Sequence, residues 1–186
     1  MRLNACVTMS ALLTVAVSLS GCATGATTAG MIIRPEELVR PTNPAVQHAV
    51  AIEAVGGGSE TNAMWSSQVG NQEFKVALSE SLKAAGILAE GPARYTLKAA
   101  LITLDQPTFG FDMTVTAKVQ YAVTDTTTNA VVWHEVVTTP HTATMSDAFA
   151  GVTRLRLANE GAMRKNIARL IERLGAASLQ GPIAVN

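Results

Sequence analysis

Met113-Thr-Val-Thr-Ala-Lys-Val-Gln-Tyr-Ala-Val-Thr124 decides the fold. Met113, Val115, Ala117, Val119, Tyr121 and Val123 alternate, with no slip in phase, with Thr114, Thr116, Lys118, Gln120, Ala122 and Thr124. A period of two sends the two sets to opposite sides of a pleated strand, one apolar and one polar. Asp125 to Asn129 then turns the chain, and Asn129 tolerates a left-handed backbone. Ala130 to Thr139 is rich in β-formers and answers as the antiparallel partner, with Pro140 as its expected stop.

Working outward, Tyr95, Leu97, Ala99 and Leu101 alternate with Thr96, Lys98 and Ala100, which makes a strand before the hairpin. Val46, His48, Val50 and Ile52 alternate in the same way, and Gly56-Gly57-Gly58 ends that first strand. Between the two strands the period changes. From about Ala63 to Ala85, the residues Phe74, Ala77, Leu78, Leu82 and Ala85 share one helical stripe. Gly86 is placed for a left-handed cap. After the hairpin, Ser146 or Asp147 can cap a final helix. Its stripe is Val152, Leu155, Ala162, Met163, Ile167, Leu170, Ile171 and Leu174, and Gly175 closes it.

The order is β-α-β-β-β-α. A strand-helix-strand crossover sets its strands parallel, and strands with one polar face need helices on only the other. The expectation is α+β: a two-layer sandwich, a four-stranded mixed sheet with two helices on one face.

The amino terminus sets an address. A lone Arg2 precedes an apolar run from Ala5 to Leu19, too short to span a bilayer and of the length of a secretory signal. Its end, Leu19-Ser20-Gly21-Cys22, resembles the bacterial lipobox. The resemblance implies cleavage before Cys22 and lipid on its thiol. The expected divisions are a signal peptide over 1–21, a lipidated terminus and flexible tether over 22–44, the α+β domain over 45–175 and a loose tail over 176–186. Pro35, Pro41 and Pro44 argue for an extended linker. The same resemblance implies the outer membrane, because in Gram-negative lipoproteins an Asp after the lipidated Cys signals inner-membrane retention and position 23 is Ala.

Composition excludes more than it selects. With 14 basic and 14 acidic residues, no overall charge favours nucleic acid. Cys6 lies in the signal and Cys22 takes the lipid, so no thiol is left for a disulfide or a metal. His134-Glu135 begins like a zinc-protease motif, but position 138 is Thr and the segment is a strand. Gly56-Gly57-Gly58-Ser59 lacks the further residues of a dinucleotide or phosphate loop. Asp105 and Asp112 flank a loop without a visible partner constellation. The expectation is therefore no metal, no cofactor and no catalytic residue.

Three residues stand out as partner-binding candidates. Phe109 and Phe111 share the loop Gln106-Pro-Thr-Phe-Gly-Phe111, and Trp65 opens the first helical stretch. Exposed aromatics on loops bind, whereas tucked ones pad the core. Both readings are open for these three residues. The last helix carries Arg154, Arg156, Arg164, Lys165, Arg169 and Arg173; such a basic helix could meet lipid phosphates, but Glu160 with Arg164 and Glu172 with Arg169 argue for an ordinary solvated face.

Taken whole, the chain resembles small Gram-negative envelope lipoproteins. These include the lipopolysaccharide-assembly lipoprotein and the auxiliary lipoproteins of ABC-type lipid transport. The likeness rests on Leu19 to Cys22, the helix ending Leu82-Lys83-Ala84-Ala85-Gly86, the Tyr95-Thr96-Leu97 strand, the hairpin and the final helix. It implies a non-enzymatic accessory domain, a membrane contact through Cys22, an envelope protein partner and a lipid or lipopolysaccharide ligand. The alternative is a periplasmic hydrolase or transferase with an unrecognised site.

Overall fold

The computed structural model describes residues 24–61 and 67–179. Within them β1 (Val50–Gly56), β2 (Tyr95–Asp105), β3 (Met113–Asp125) and β4 (Ala130–Ala143) form one sheet in the order β1-β2-β3-β4. A short helix α1 (Thr28–Met31) precedes the sheet and a long one, α3 (Gly151–Ala176), follows it. β1 and β2 are parallel, joined through α2 (Asn71–Ala84); the other pairs are antiparallel.

The hairpin is as its alternation requires. Met113 faces Ala143 at one end and Asp125 faces Ala130 at the other, around a turn in which Asn129 takes φ 54°. Met113, Val115, Ala117, Val119, Tyr121 and Val123 are all buried. The same face receives Phe74, Leu78 and Leu82 from α2 and Met163, Ile167, Leu170, Ile171 and Leu174 from α3. Each such side chain contributes about 1.5–3 kcal/mol when fully removed from water. This is the expected two-layer α+β sandwich, with α1 added.

Two glycines fulfil backbone demands. Gly86 closes α2 at φ 74°. Gly57, at φ 79°, lies so close to β2 that a Cβ would collide with the Leu101 carbonyl.

Several boundaries move. β1 begins at Val50, not Val46, because Pro44–Val46 is a 3₁₀ turn and His48 adopts φ 51°. β4 runs through Pro140 to Ala143; it is an edge strand, where a missing N–H is tolerated. α3 starts at Gly151 without a side-chain cap, because Asp147 is engaged earlier. Its carboxylate accepts from the Thr144 N–H at 2.7 Å and the Thr144 hydroxyl at 2.8 Å.

The described part of the expected tether is not a free spacer. Ala26, Met31 and Ile33 are buried in the core, and Val46 with them. The Ile33 N–H donates to Ser81 Oγ at 3.2 Å, and the Thr27 N–H and hydroxyl both donate to Glu160 Oε1 at 2.9 Å. Beyond α3, Leu179 is buried rather than loose, and residues 180–186 lie outside the described ones. Among the described residues, no helix is long and apolar enough to cross a membrane.

The basic helix is likewise not one solvated face. Arg154 and Arg164 are buried. Arg164 Nε pairs with Glu37 at 3.1 Å and its Nη1 donates to the Gly30 carbonyl at 2.7 Å. Glu160 pairs with Arg156, not with Arg164. Arg169 and Glu172 do form the expected exposed pair.

Candidate functional site

The end of the sheet where β2 leaves for β3 carries the most unusual surface. The residues between those strands hold Phe109 and Phe111, with 87% and 80% of their area exposed. Neither tucks under α3. Phe149, in the turn between β4 and α3, is 88% exposed. Sequence reading passed over Phe149. An isolated aromatic between the Asp147 turn and Gly151 was the signal available. Cys22 and Trp65 lie outside the described residues.

Arg154 ties the two turns together. Its Nη1 donates to the carbonyls of Ala148, at 2.9 Å, and Phe149, while Nη2 reaches the Gly110 carbonyl at 3.4 Å. One guanidinium thus gathers the backbone between Phe109 and Phe111 and the backbone beside Phe149. Its fan of fixed donors suits several carbonyls at once. Met113 Cε packs 3.7 Å from where a Gly151 Cβ would stand, closing the base of the same end.

A polar cluster supports the loop from behind. Gln106 Nε2 donates to the Ser67 carbonyl at 2.8 Å and to Asn159 Oδ1 at 2.9 Å, and Asn159 Nδ2 donates to the same carbonyl at 2.9 Å. Next to Ser67, the Gln68 carbonyl accepts the Ala26 N–H at 2.9 Å. The first described residues therefore join the sheet end that carries the aromatic turns.

The residues weighed for catalysis do not converge. His134 lies exposed on the open sheet face and meets Gln120 Nε2 at 2.7 Å. Asp105 is paired with Thr116, and Thr116 with Pro140, six residues along β4 from His134. That separation is about 20 Å of strand. His141 is half-buried against Gly161; burial, then Lys165 and Arg164, hold its imidazole below the ordinary range, with Asp147 opposing. Among the described residues, no group of His, Cys, Asp and Glu could hold a metal ion. An open depression of about 500 Å³ occupies the far end of the molecule, beside Asn43, Arg94, Tyr95 and Ser178.

No family model and no curated protein matches this chain. Solved structures do. The chain shares its fold with a Xanthomonas campestris protein of family DUF330. That match has a TM-score of 0.53 at 13% identity and covers 72% of this chain and 92% of that one. The hypothetical protein CT253 of Chlamydia trachomatis matches with a TM-score of 0.50 at 14% identity, over 69% of this chain and 98% of that one. A minor lipoprotein of Acinetobacter baumannii gives 0.48 at 10% identity, over 70% and 94%. For the first two, at these identities, the likeness is one of architecture, and it brings no site residue with it.

Proposed function

We propose that this chain is a non-enzymatic lipoprotein of a Gram-negative outer membrane, held by lipid on Cys22 with its domain in the periplasm. It serves there as an accessory to an envelope assembly or lipid-transport complex. The observation that carries this reading is Leu19-Ser20-Gly21-Cys22 at the close of a short apolar run, followed by Ala23. Acylation there would anchor the domain to a bilayer.

The sheet supports a docking role. Its helices cover one face only, and β4 is a long edge strand. Edge strands offer backbone donors and acceptors to an added strand of a partner protein. A lipid or lipopolysaccharide ligand of the complex is the secondary partner. The separation of Asp105 from His134 gives the hydrolase alternative no support.

The test is the mature protein's amino terminus. Its mass should place the first residue at Cys22 with diacylglycerol attached, processing should stop under globomycin, and the protein should fractionate with the outer membrane. A photo-crosslinker at Val136 or Thr138, both exposed on β4, should give one discrete adduct with an envelope protein. A mature terminus elsewhere, or an unmodified thiol at Cys22, would overturn the reading.

A further inference from the structure

Three of the four phenylalanines of this chain are exposed, and all three sit at one end of the domain. Single exposed apolar side chains are ordinary, whereas several large ones gathered on one surface mark a contact site. Phe109, Phe111 and Phe149 stand on two turns joined by the Arg154 guanidinium, so they are presented together.

The chain itself indicates the occupant. Running back toward the amino terminus, the Gly30 carbonyl meets Arg164, then Thr27 meets Glu160, one turn nearer the start of α3. Ala26 next bonds Gln68, beside the Ser67 carbonyl that Gln106 and Asn159 share. Gly25 then lies against Thr61, after the end of β1, and because β1 and β2 are parallel this is the same end of the sheet as the aromatic turns. Four residue steps separate pinned Ala26 from Cys22, a reach of at most about 14 Å. A lipid on Cys22 would hold that end against the bilayer it enters.

We propose that Phe109, Phe111 and Phe149 form a membrane-facing tip that inserts into the same leaflet as the Cys22 lipid. This rests on the acylation of Cys22 stated above. The rings would lie ~5–10 Å into the boundary between headgroups and acyl chains, as apolar side chains of peripheral proteins do. Exposed Asp112 and Asp147 flank the rings. The tip is thus suited to zwitterionic phospholipid rather than to an anionic surface, and its seating is apolar rather than electrostatic. Diacylglycerol on Cys22 anchors the chain but does not orient the domain, so a second, apolar contact of this kind would fix which way the domain points.

The test uses the mature, acylated protein reconstituted in phosphatidylcholine–phosphatidylethanolamine vesicles whose acyl chains carry bromine, a contact quencher. Phe109→Trp and Phe149→Trp each add an emitter to the wild-type background of Trp65 and Trp133; Val136→Trp on the open sheet face is the control. Circular dichroism checks that each variant keeps the wild-type fold. Both tip variants should lose most of their added emission in brominated vesicles and shift to the blue, with no change on raising salt, while the control keeps its emission. Unquenched tip variants on a protein whose Cys22 carries lipid by mass would overturn the tip and leave the lipoprotein reading standing. An unmodified Cys22 would overturn both. A blue shift before vesicles are added, growing with protein concentration, would overturn the tip in favour of a second copy of this chain.

Discussion

Tyr121 Oη donates to Asn166 Oδ1 at 2.9 Å in the layer between β3 and α3, with both residues fully buried. Asn166 Nδ2 in turn donates to the Val137 carbonyl at 2.9 Å and to Thr139 Oγ1 at 3.0 Å. One amide thus joins α3 to both strands of the hairpin. Asn166→Leu leaves the tyrosine hydroxyl and the Val137 carbonyl without this partner, each costing about 1–3 kcal/mol when buried. Urea unfolding should show a loss of about 2–4 kcal/mol for Asn166→Leu and about 1 kcal/mol for Tyr121→Phe. The double variant should lose less than the sum, because the two changes break one shared bond.

The same pair predicts an alkaline limit. Burial pushes the Tyr121 phenol far above its ordinary value of 10.0. The folded state therefore keeps the proton while the unfolded state releases it, so the contribution is whole below pH ~10 and is lost as pH rises past it. Tyr121→Phe should flatten the fall in stability between pH ~9.5 and ~11 in urea titrations. Equal slopes for the two proteins would show that other groups dominate.

Among the described residues Arg154 has no carboxylate partner and is held by carbonyls. Hydrogen bonds to a charged group are worth about 1.5–3 kcal/mol, so Arg154→Met should cost that much in global unfolding. The sharper signature is local. Amide exchange should accelerate across residues 106–112 and 145–150 together, because one side chain restrains both turns. Acceleration in only one turn would mean that the other is held by its own bonds.

The hairpin was legible in the sequence because its six inward residues repeat with one period and tertiary contact reinforces it. Gly86 and Asn129 were legible because left-handed backbone restricts the residue type. The start of β1 was not. Val46 and His48 continue the alternation, but a 3₁₀ turn and a positive φ break the strand there, and composition does not record backbone angles. The buried arginines were hidden for a different reason. Arg154 and Arg164 find partners in Gly110 and Glu37, distant in sequence, so charge alone made them look solvated. Exposure of Phe109 and Phe111 was undecidable from periodicity, since both sit in an aperiodic loop.

Gly161 is where α3 crosses His141. A Cβ there would collide with Cδ2 and Nε2 of His141 and stand 2.5 Å from its Cγ, so the whole ring would have to swing. Gly161→Ala should therefore destabilise by about 1–3 kcal/mol despite its better helix propensity. His141 also gives an acid signature. Its imidazole is held below the ordinary value of 6.5 by burial and by Lys165 and Arg164, against the opposing charge of Asp147. The neutral form is the folded one. Its contribution is present above pH ~6.5 and is lost as pH falls below it. His141→Gln should weaken the dependence of unfolding on pH between ~6.5 and ~5.

Glu160 governs the direction in which the amino-terminal segment leaves the domain. Its buried carboxylate accepts from the Thr27 N–H, the Thr27 hydroxyl and Arg156 Nη1 at 2.8–2.9 Å. Arg156 can turn toward solvent when its partner is lost, so Glu160→Ala should cost about 2–3 kcal/mol, less than breaking a fully buried pair. Glu160→Gln keeps an acceptor for Thr27 and should cost about 1 kcal/mol. Limited proteolysis should find new cleavage between Thr27 and Arg34 in the alanine variant, with the domain core protected. Thr27 adjoins Ala26, whose N–H bonds the Gln68 carbonyl; when that neighbouring bond opens with it, the chain between Cys22 and the first fixed residue lengthens, and with it the distance the domain can drift from the bilayer. Quenching of a Phe109→Trp emitter should then fall in the Glu160→Ala background, though the substituted side chain is remote from the lipid. Undiminished quenching would mean that the three rings hold the surface without help from a short leash.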